Sequence, residues 1–177
     1  MPRRLDVDGR PYGLVTLHRP SNVDSPETFE RLVEGLATVA SDVPLLFPVH
    51  PRTRPMLERS LRLRTLVDSG RLRILDALGY LEFLGLMSDA TIVLTDSGGI
   101  QEETTVLGVP CLTLRAETER PITVSEGTNV VVGLDADLIL AESRSILRGS
   151  GKRGRIPALW DGRAAERIVA VLAPAAS

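Results

Sequence analysis

One cysteine, one tryptophan, two tyrosines and three phenylalanines in 177 residues exclude several kinds of protein at once. Cys111 has no second thiol with which to close an intrachain disulfide, and no metal-ligand spacing surrounds it, so neither a disulfide scaffold nor a zinc site is expected and a reducing cytoplasm is the implied setting. No apolar run approaches the roughly 20 residues that a membrane helix needs. Met1 opens no signal-peptide pattern, so no membrane association is expected. Charge of one sign is also lacking. Lys and Arg total 21 against 23 Asp and Glu, a formal net charge of -2, which supplies no general attraction for nucleic acid; any anion must be recognised locally. The dense basic runs, Arg3-Arg4 and Lys152-Arg153-Gly154-Arg155, lie where there is no apolar periodicity and read as solvated loops. The dinucleotide fingerprint G-x-G-x-x-G and the P-loop pattern with its lysine are both missing, which disfavours NAD-dependent redox chemistry and ATP hydrolysis.

What is present is an ordinary globular composition, 43% hydrophobic and 25% charged, at a length that suits one domain, residues 1–177. Short apolar runs over 14–17, 45–49, 72–75, 91–94, 111–114 and 129–132 alternate with helical patterns, which predicts an α/β fold: a Rossmann-like parallel sheet with helices on both faces. The first helix has Ser25 as N-cap, Pro26 at its first position and an apolar face of Phe29, Leu32, Val33, Leu36 and Ala40. Others are expected over 55–63, 80–87, 99–107 and 137–147, with a terminal helix over 161–172; Gly108 and Pro110 stop the one before them.

The most informative segment is Thr95-Asp96-Ser97-Gly98-Gly99-Ile100-Gln101-Glu102-Glu103, a strand running into a glycine pair and then a helix. Two glycines let backbone N–H groups approach an anion with no Cβ in the way, and the start of the helix adds unpaired donors and a positive dipole end. Gln101, Glu102 and Glu103 either complement that dipole or include an acceptor for a ribose diol. Polar groups also end the other strands: His18-Arg19 the first, His50 the second, Asp76 the third, Arg115 the fifth. Ligands bind at the carboxyl ends of strands in open α/β sheets, and both histidines of the chain sit there. Arg120 offers either a charge-assisted grip on phosphate or a surface pair with Glu119 or Glu117. Phe83 either stacks on a base or belongs to the core with Leu84 and Met87. A sugar nucleotide fits this edge better than other nucleotides.

These residues resemble a known family. His18-Arg19-Pro20, Pro48-Val49-His50-Pro51, Tyr80-Leu81 with Phe83, the run from Leu94 to Glu103, and Thr118-Glu119-Arg120-Pro121 are similar to the non-hydrolysing UDP-N-acetylglucosamine 2-epimerases, from about Tyr12 to Leu172. In that family two Rossmann-like domains face each other in the glycosyltransferase-B arrangement, and the chain looks like the second, UDP-binding one. The resemblance implies that Ser97, Gly98 and Gly99 hold the diphosphate, Glu103 the ribose hydroxyls and Arg120 the phosphates. Phe83 borders the uracil, backbone near Leu78 reads its edge, and His18 is the catalytic histidine, with Arg19 and His50 as further substrate-binding residues. The implied reaction is elimination of UDP to a glycal and its re-addition, with no metal and no cofactor.

The chain departs from the family pattern in three places. Ser21 stands where Glu is common, Ile122 replaces the usual Glu after Thr-Glu-Arg-Pro, and residues 156–162 differ from the commoner Asn-Pro-Tyr-Gly-Asp-Gly form. No second set of catalytic carboxylates and arginine appears, so the family's first domain, or a homo-oligomer, is the expected partner. The alternatives are a non-catalytic sugar-nucleotide-binding or docking module and the donor domain of a glycosyltransferase.

Overall fold

The computed structural model describes residues 9–173. Met1 and the Arg3-Arg4 run lie outside the described residues. In chain order the elements are β1 (Gly13–Thr16), α1 (Pro20–Val23), α2 (Pro26–Ala40), β2 (Leu45–Pro48), α3 (Arg54–Arg59), α4 (Leu61–Asp68) and β3 (Leu72–Leu75). The chain continues with α5 (Tyr80–Asp89), β4 (Ile92–Thr95), α6 (Gly98–Leu107), β5 (Cys111–Thr113), α7 (Pro121–Ser125), β6 (Asn129–Val131), α8 (Ala136–Leu147) and α9 (Ala164–Leu172). The strands form one sheet in the order β3-β2-β1-β4-β5-β6, and every neighbouring pair is parallel. This is the doubly wound order in which ligands bind where the winding reverses, between β1 and β4.

Side chains alternate across the sheet, as the pleat requires. Val15, Leu17, Phe47, Ile92, Leu94 and Leu112 point into the larger core, against the apolar face of α2 and Ile139 of α8. Leu14, Leu46 and Val93 point the other way, into a smaller core closed by Leu86 and Met87 of α5 and by Ile100 of α6. Both faces are covered, which is why the strands read as near-continuous apolar runs.

The six expected strands and the expected helices are present, with shifted ends. The pattern over 55–63 resolves into two helices. Ser60 leaves helical geometry at ψ 111 and its Oγ accepts from Leu63 N at 3.2 Å, so it ends α3 and caps α4. Periodicity cannot show such a break, because apolar residues continue across it. Short helices α1 and α7 each begin at a proline after a strand-end loop. Gly108 stops α6 at φ +72, a left-handed position that favours glycine.

Lys152 is only partly solvated. Its Nζ donates to the carbonyls of Val124 and Asn129, the latter at 2.9 Å, and desolvation pulls its pKa down. Beside it Gly154 lies against backbone: a Cβ there would fall 2.3 Å from the carbonyl carbon of Gly127, and Arg155 N donates to Glu126 O at 2.8 Å. Helix α9 buries no residue, and Ile168, Val169, Val171 and Leu172 are 57 to 78% exposed. Among the described residues no helix is long and apolar enough to cross a membrane.

Candidate functional site

The helices that follow β1 and β4 pack on opposite faces of the sheet, so the loops between strand and helix diverge and leave a crevice. Asp96 organises it. Its carboxylate is 0% exposed and accepts from His18 N at 3.1 Å, Arg19 N at 2.9 Å and Asn22 Nδ2 at 3.2 Å. His18 Nδ1 lies 3.2 Å from Asp96 Oδ1, which leaves Nε2 as the free ring nitrogen. Asn22 also donates to Leu114 O at 2.9 Å, so one buried carboxylate ties the loops after β1, β4 and β5 together. In the sequence Asp96 is visible as a polar strand end and as part of the run from Leu94 to Glu103, with nothing to show what it binds.

Next along the chain, Ser97 is the N-cap of α6, yet its side chain caps nothing, and its own N–H donates to Thr95 Oγ1 at 3.0 Å. Neither Gly98 nor Gly99 has a positive φ. A Cβ on Gly98 would have Arg120 Cγ as its nearest neighbour at 3.7 Å, and on Gly99 the nearest would be Ser97 Oγ at 3.9 Å. Neither backbone strain nor crowding by the chain therefore calls for glycine here. What the pair provides is a helix start whose first two residues carry no side chain, so that those of Arg120 and Glu119 face the positive end of a ten-residue helix, which carries roughly half an elementary charge.

Three arginines surround that helix end. Arg120 pairs with Glu102, Nε to Oε1 at 2.9 Å, and not with the anticipated carboxylate of Glu119 or Glu117. Arg115 Nη1 lies 2.6 Å from Glu119 Oε2, and Arg19 Nη2 lies 3.9 Å from Glu119 Oε1. The hydrogen bond from Arg115 holds the Glu119 carboxyl down at about 2. Arg19 Nε is buried with no hydrogen-bond partner among the described residues.

Gln101, one of the candidates for the ribose, has another task. It is fully buried, and its Oε1 accepts from Thr118 Oγ1 at 2.5 Å and Asn129 Nδ2 at 3.2 Å. Thr118 Oγ1 accepts in turn from Arg120 N at 2.9 Å, so Gln101 sets the loop that carries Arg120. Glu103 stays available. Its Oε1 accepts from Tyr80 OH at 3.4 Å, while its Oε2 is buried without a partner among the described residues. Desolvation pushes the Glu103 pKa up, and the carboxylate pushes that of Tyr80 up. Both border an apolar cleft of about 460 Å3 lined also by Leu84, Val106, Leu107 and Trp160. Trp160 has no ligand-binding signature in the sequence, and Tyr80 enters there only within the Tyr80-Leu81 motif.

Among the remaining expected residues, His50 is exposed, and its ring centroid lies 5.7 Å from that of His18. Its Nδ1 accepts from Arg52 N at 3.1 Å. The fold thus unites two histidines from different strand ends. Phe83 and Leu78 are partly buried against the smaller core, Phe83 in the first turn of α5 and Leu78 in the loop before it. The Tyr80–Glu103 contact joins that turn to α6. Asp76 pairs outward with Arg54 at 2.7 Å.

The chain is similar to known proteins in sequence and in fold. The family model described as UDP-N-acetylglucosamine 2-epimerase matches residues 2–173. The UDP-N-acetylglucosamine 2-epimerase of Methanocaldococcus jannaschii is 40% identical over 163 residues, which are 91% of this chain and 44% of that protein. The UDP-2,3-diacetamido-2,3-dideoxy-D-glucuronate 2-epimerase of Pseudomonas aeruginosa is 38% identical over 162 residues, 90% of this chain and 44% of the relative. The crystal structure of the M. jannaschii enzyme in complex with UDP-GlcNAc and UDP superposes with a TM-score of 0.82 at 38% identity, covering 96% of this chain and 47% of the other. The chain therefore spans less than half the length of the relatives it matches.

Proposed function

The chain belongs to the UDP-N-acetylglucosamine 2-epimerase family, and from that premise we propose that residues 1–177 act as one unit, the UDP-binding half of an enzyme that interconverts UDP-N-acetylglucosamine and UDP-N-acetylmannosamine. The observation that carries the reading is the uncapped, glycine-cleared start of α6 at the sheet's reversal point, with Arg19, Arg115 and Arg120 around it. A diphosphate is the ligand whose charge suits such a seat. The buried, unpartnered Oε2 of Glu103 supports a ribose hydroxyl beside it, and Phe83 with backbone near Leu78 supports the uracil.

In this reading the bond from the anomeric carbon to UDP breaks while the proton on C2 passes to a carboxylate base, giving a glycal. Protonation of C2 on its opposite face and re-addition of UDP give the epimer. No carbonyl acidifies that C2 proton, so departure of UDP must lead, and whatever stabilises the leaving diphosphate lowers the barrier. Gly98 and Gly99 amides, Ser97, Arg120 and Arg19 supply that stabilisation from fixed positions. His18 keeps Nδ1 against Asp96, which leaves Nε2 for the phosphates. His50 stands beside His18, ring centroids 5.7 Å apart. The carboxylates that move the C2 proton belong to a partner half with the family's first-domain chemistry, and a cytoplasmic UDP-sugar pool is the setting.

Both relatives act, by name, at C2 of a UDP-linked 2-acetamido sugar. Calorimetric titration with UDP tests the reading: the chain binds with Kd between about 10 μM and 1 mM and alone turns nothing over. Folded protein that gives no heat at millimolar UDP overturns it.

A further inference from the structure

The seat over α6 already holds an anion, and it is the chain's own. A Cβ on Gly98 would lie 3.8 Å from Glu119 Oε2, so the carboxylate hangs over the first residue of the helix. The same group binds Arg115 at 2.6 Å and lies 3.9 Å from Arg19. An acidic side chain that draws on two guanidinium groups beside a helix N-terminus stands where an incoming phosphate would meet the same arginines. Glu119 is half exposed, on a loop whose neighbour Thr118 is anchored to Gln101, so its side chain can swing away while the loop stays set.

We propose that Glu119 is a resident counter-ion which competes with the diphosphate for Arg115, Arg19 and the α6 amides, and so sets how tightly the nucleotide is held. This rests on the reading of Gly98 and Gly99 as the diphosphate seat. In the empty state the carboxylate neutralises cations that would otherwise repel one another. In the bound state the diphosphate takes them over and Glu119 turns to solvent. On release the carboxylate returns, which shortens the life of the UDP complex. A residue that only positioned Arg115 would do the opposite, since its loss would weaken binding.

Glu119→Gln separates these cases. Titration of the folded variant with UDP and with inorganic pyrophosphate is expected to give Kd at least about threefold lower than the wild type for both ligands, in the range that single exposed ion pairs support. Glu166→Gln, which removes the same charge from the remote Arg163 pair, leaves both values unchanged. Equal or weaker binding by a folded Glu119→Gln protein that still binds UDP overturns the counter-ion role and leaves the seat intact. No binding by either protein removes the seat, and the inference with it. A UDP-bound crystal structure is expected to show Glu119 detached from Arg115; an intact 2.6 Å contact beneath a bound phosphate overturns the competition.

Discussion

Asp96→Ala is the perturbation that presses hardest on this architecture. The substitution strips a partner from two backbone N–H groups, those of His18 and Arg19, and from the side chains of Asn22 and His18. A buried donor left unpaired costs about 1 to 3 kcal/mol. Summing four such losses overshoots, because His18 and Arg19 are only half-buried and water reaches part of what is freed. Removing a desolvated charge also offsets some of the loss. A net destabilisation of about 3 to 4 kcal/mol follows, near the top of the range for single substitutions. For a chain of this size that lowers Tm by about 6 to 16 °C. Urea denaturation followed by circular dichroism is expected to show the midpoint falling with little change in slope, since the surface exposed on unfolding is the same. Asp96→Asn, which keeps one acceptor but turns an NH2 toward the N–H donors, is expected to lose at least half as much. UDP affinity falls in both, because the loop bearing His18 and Arg19 loses its anchor. A loss below about 1 kcal/mol in Asp96→Ala would refute the claim that this carboxylate organises the strand ends.

Gly98→Ala separates stability from binding: the Cβ has 3.7 Å of clearance and helical backbone, so the unfolding free energy is expected to hold or rise by about 0.5 to 1 kcal/mol, while UDP affinity drops at least about tenfold. Equal affinity in that variant would mean that the diphosphate sits elsewhere. Glu103→Gln is expected to weaken UDP but not inorganic pyrophosphate in parallel titrations, since the proposed ligand of its buried, unpartnered oxygen is the ribose. In the wild type desolvation raises the Glu103 pKa, so UDP affinity should already fall at a pH above the usual carboxylate range, as the carboxylate gains a proton. Cys111 is buried and its thiol is pushed from 9.0 up to about 12, so a thiol-specific chromogenic reagent at pH 8 should react only after denaturant is added. Tyr12 rises from 10.0 to about 12. Both folded values exceed the unfolded ones, so these groups contribute fully below pH 9, and their contribution is lost as pH rises from 9 toward 12. A urea midpoint that stays flat to pH 11 would contradict this.

The sheet was legible in the sequence because strands buried on both faces must be apolar throughout, and each of the six runs could be read by itself. The helix break at Ser60 was not, since the capping hydroxyl interrupts the backbone and leaves the apolar pattern intact. At the site, the glycine pair and both strand-end histidines announced themselves by residue type and position. The roles of Asp96, Gln101 and Tyr80 did not, for a common reason: each acts through a partner distant in the chain, 78 residues away for His18 with Asp96, 28 for Asn129 with Gln101 and 23 for Glu103 with Tyr80. Arg120 was visible as a cation near the fifth strand, but its pairing with Glu102 depends on how α6 and the loop before α7 are set side by side. Lys152 illustrates the opposite error, in which a basic run suggests water although one ammonium is drawn into the protein by two carbonyls.

The backbone crossing of Gly154 over Gly127 works as a leash on the pocket. It clips the chain beyond α8 to the corner between α7 and β6, where Lys152 holds the carbonyl of the same Asn129 whose amide steadies Gln101 and, through Thr118, the Arg120 loop. A bulkier residue at 154 would pry that clip open, and the guanidinium of Arg120 would lose its fixed bearing although no group facing the nucleotide had been altered.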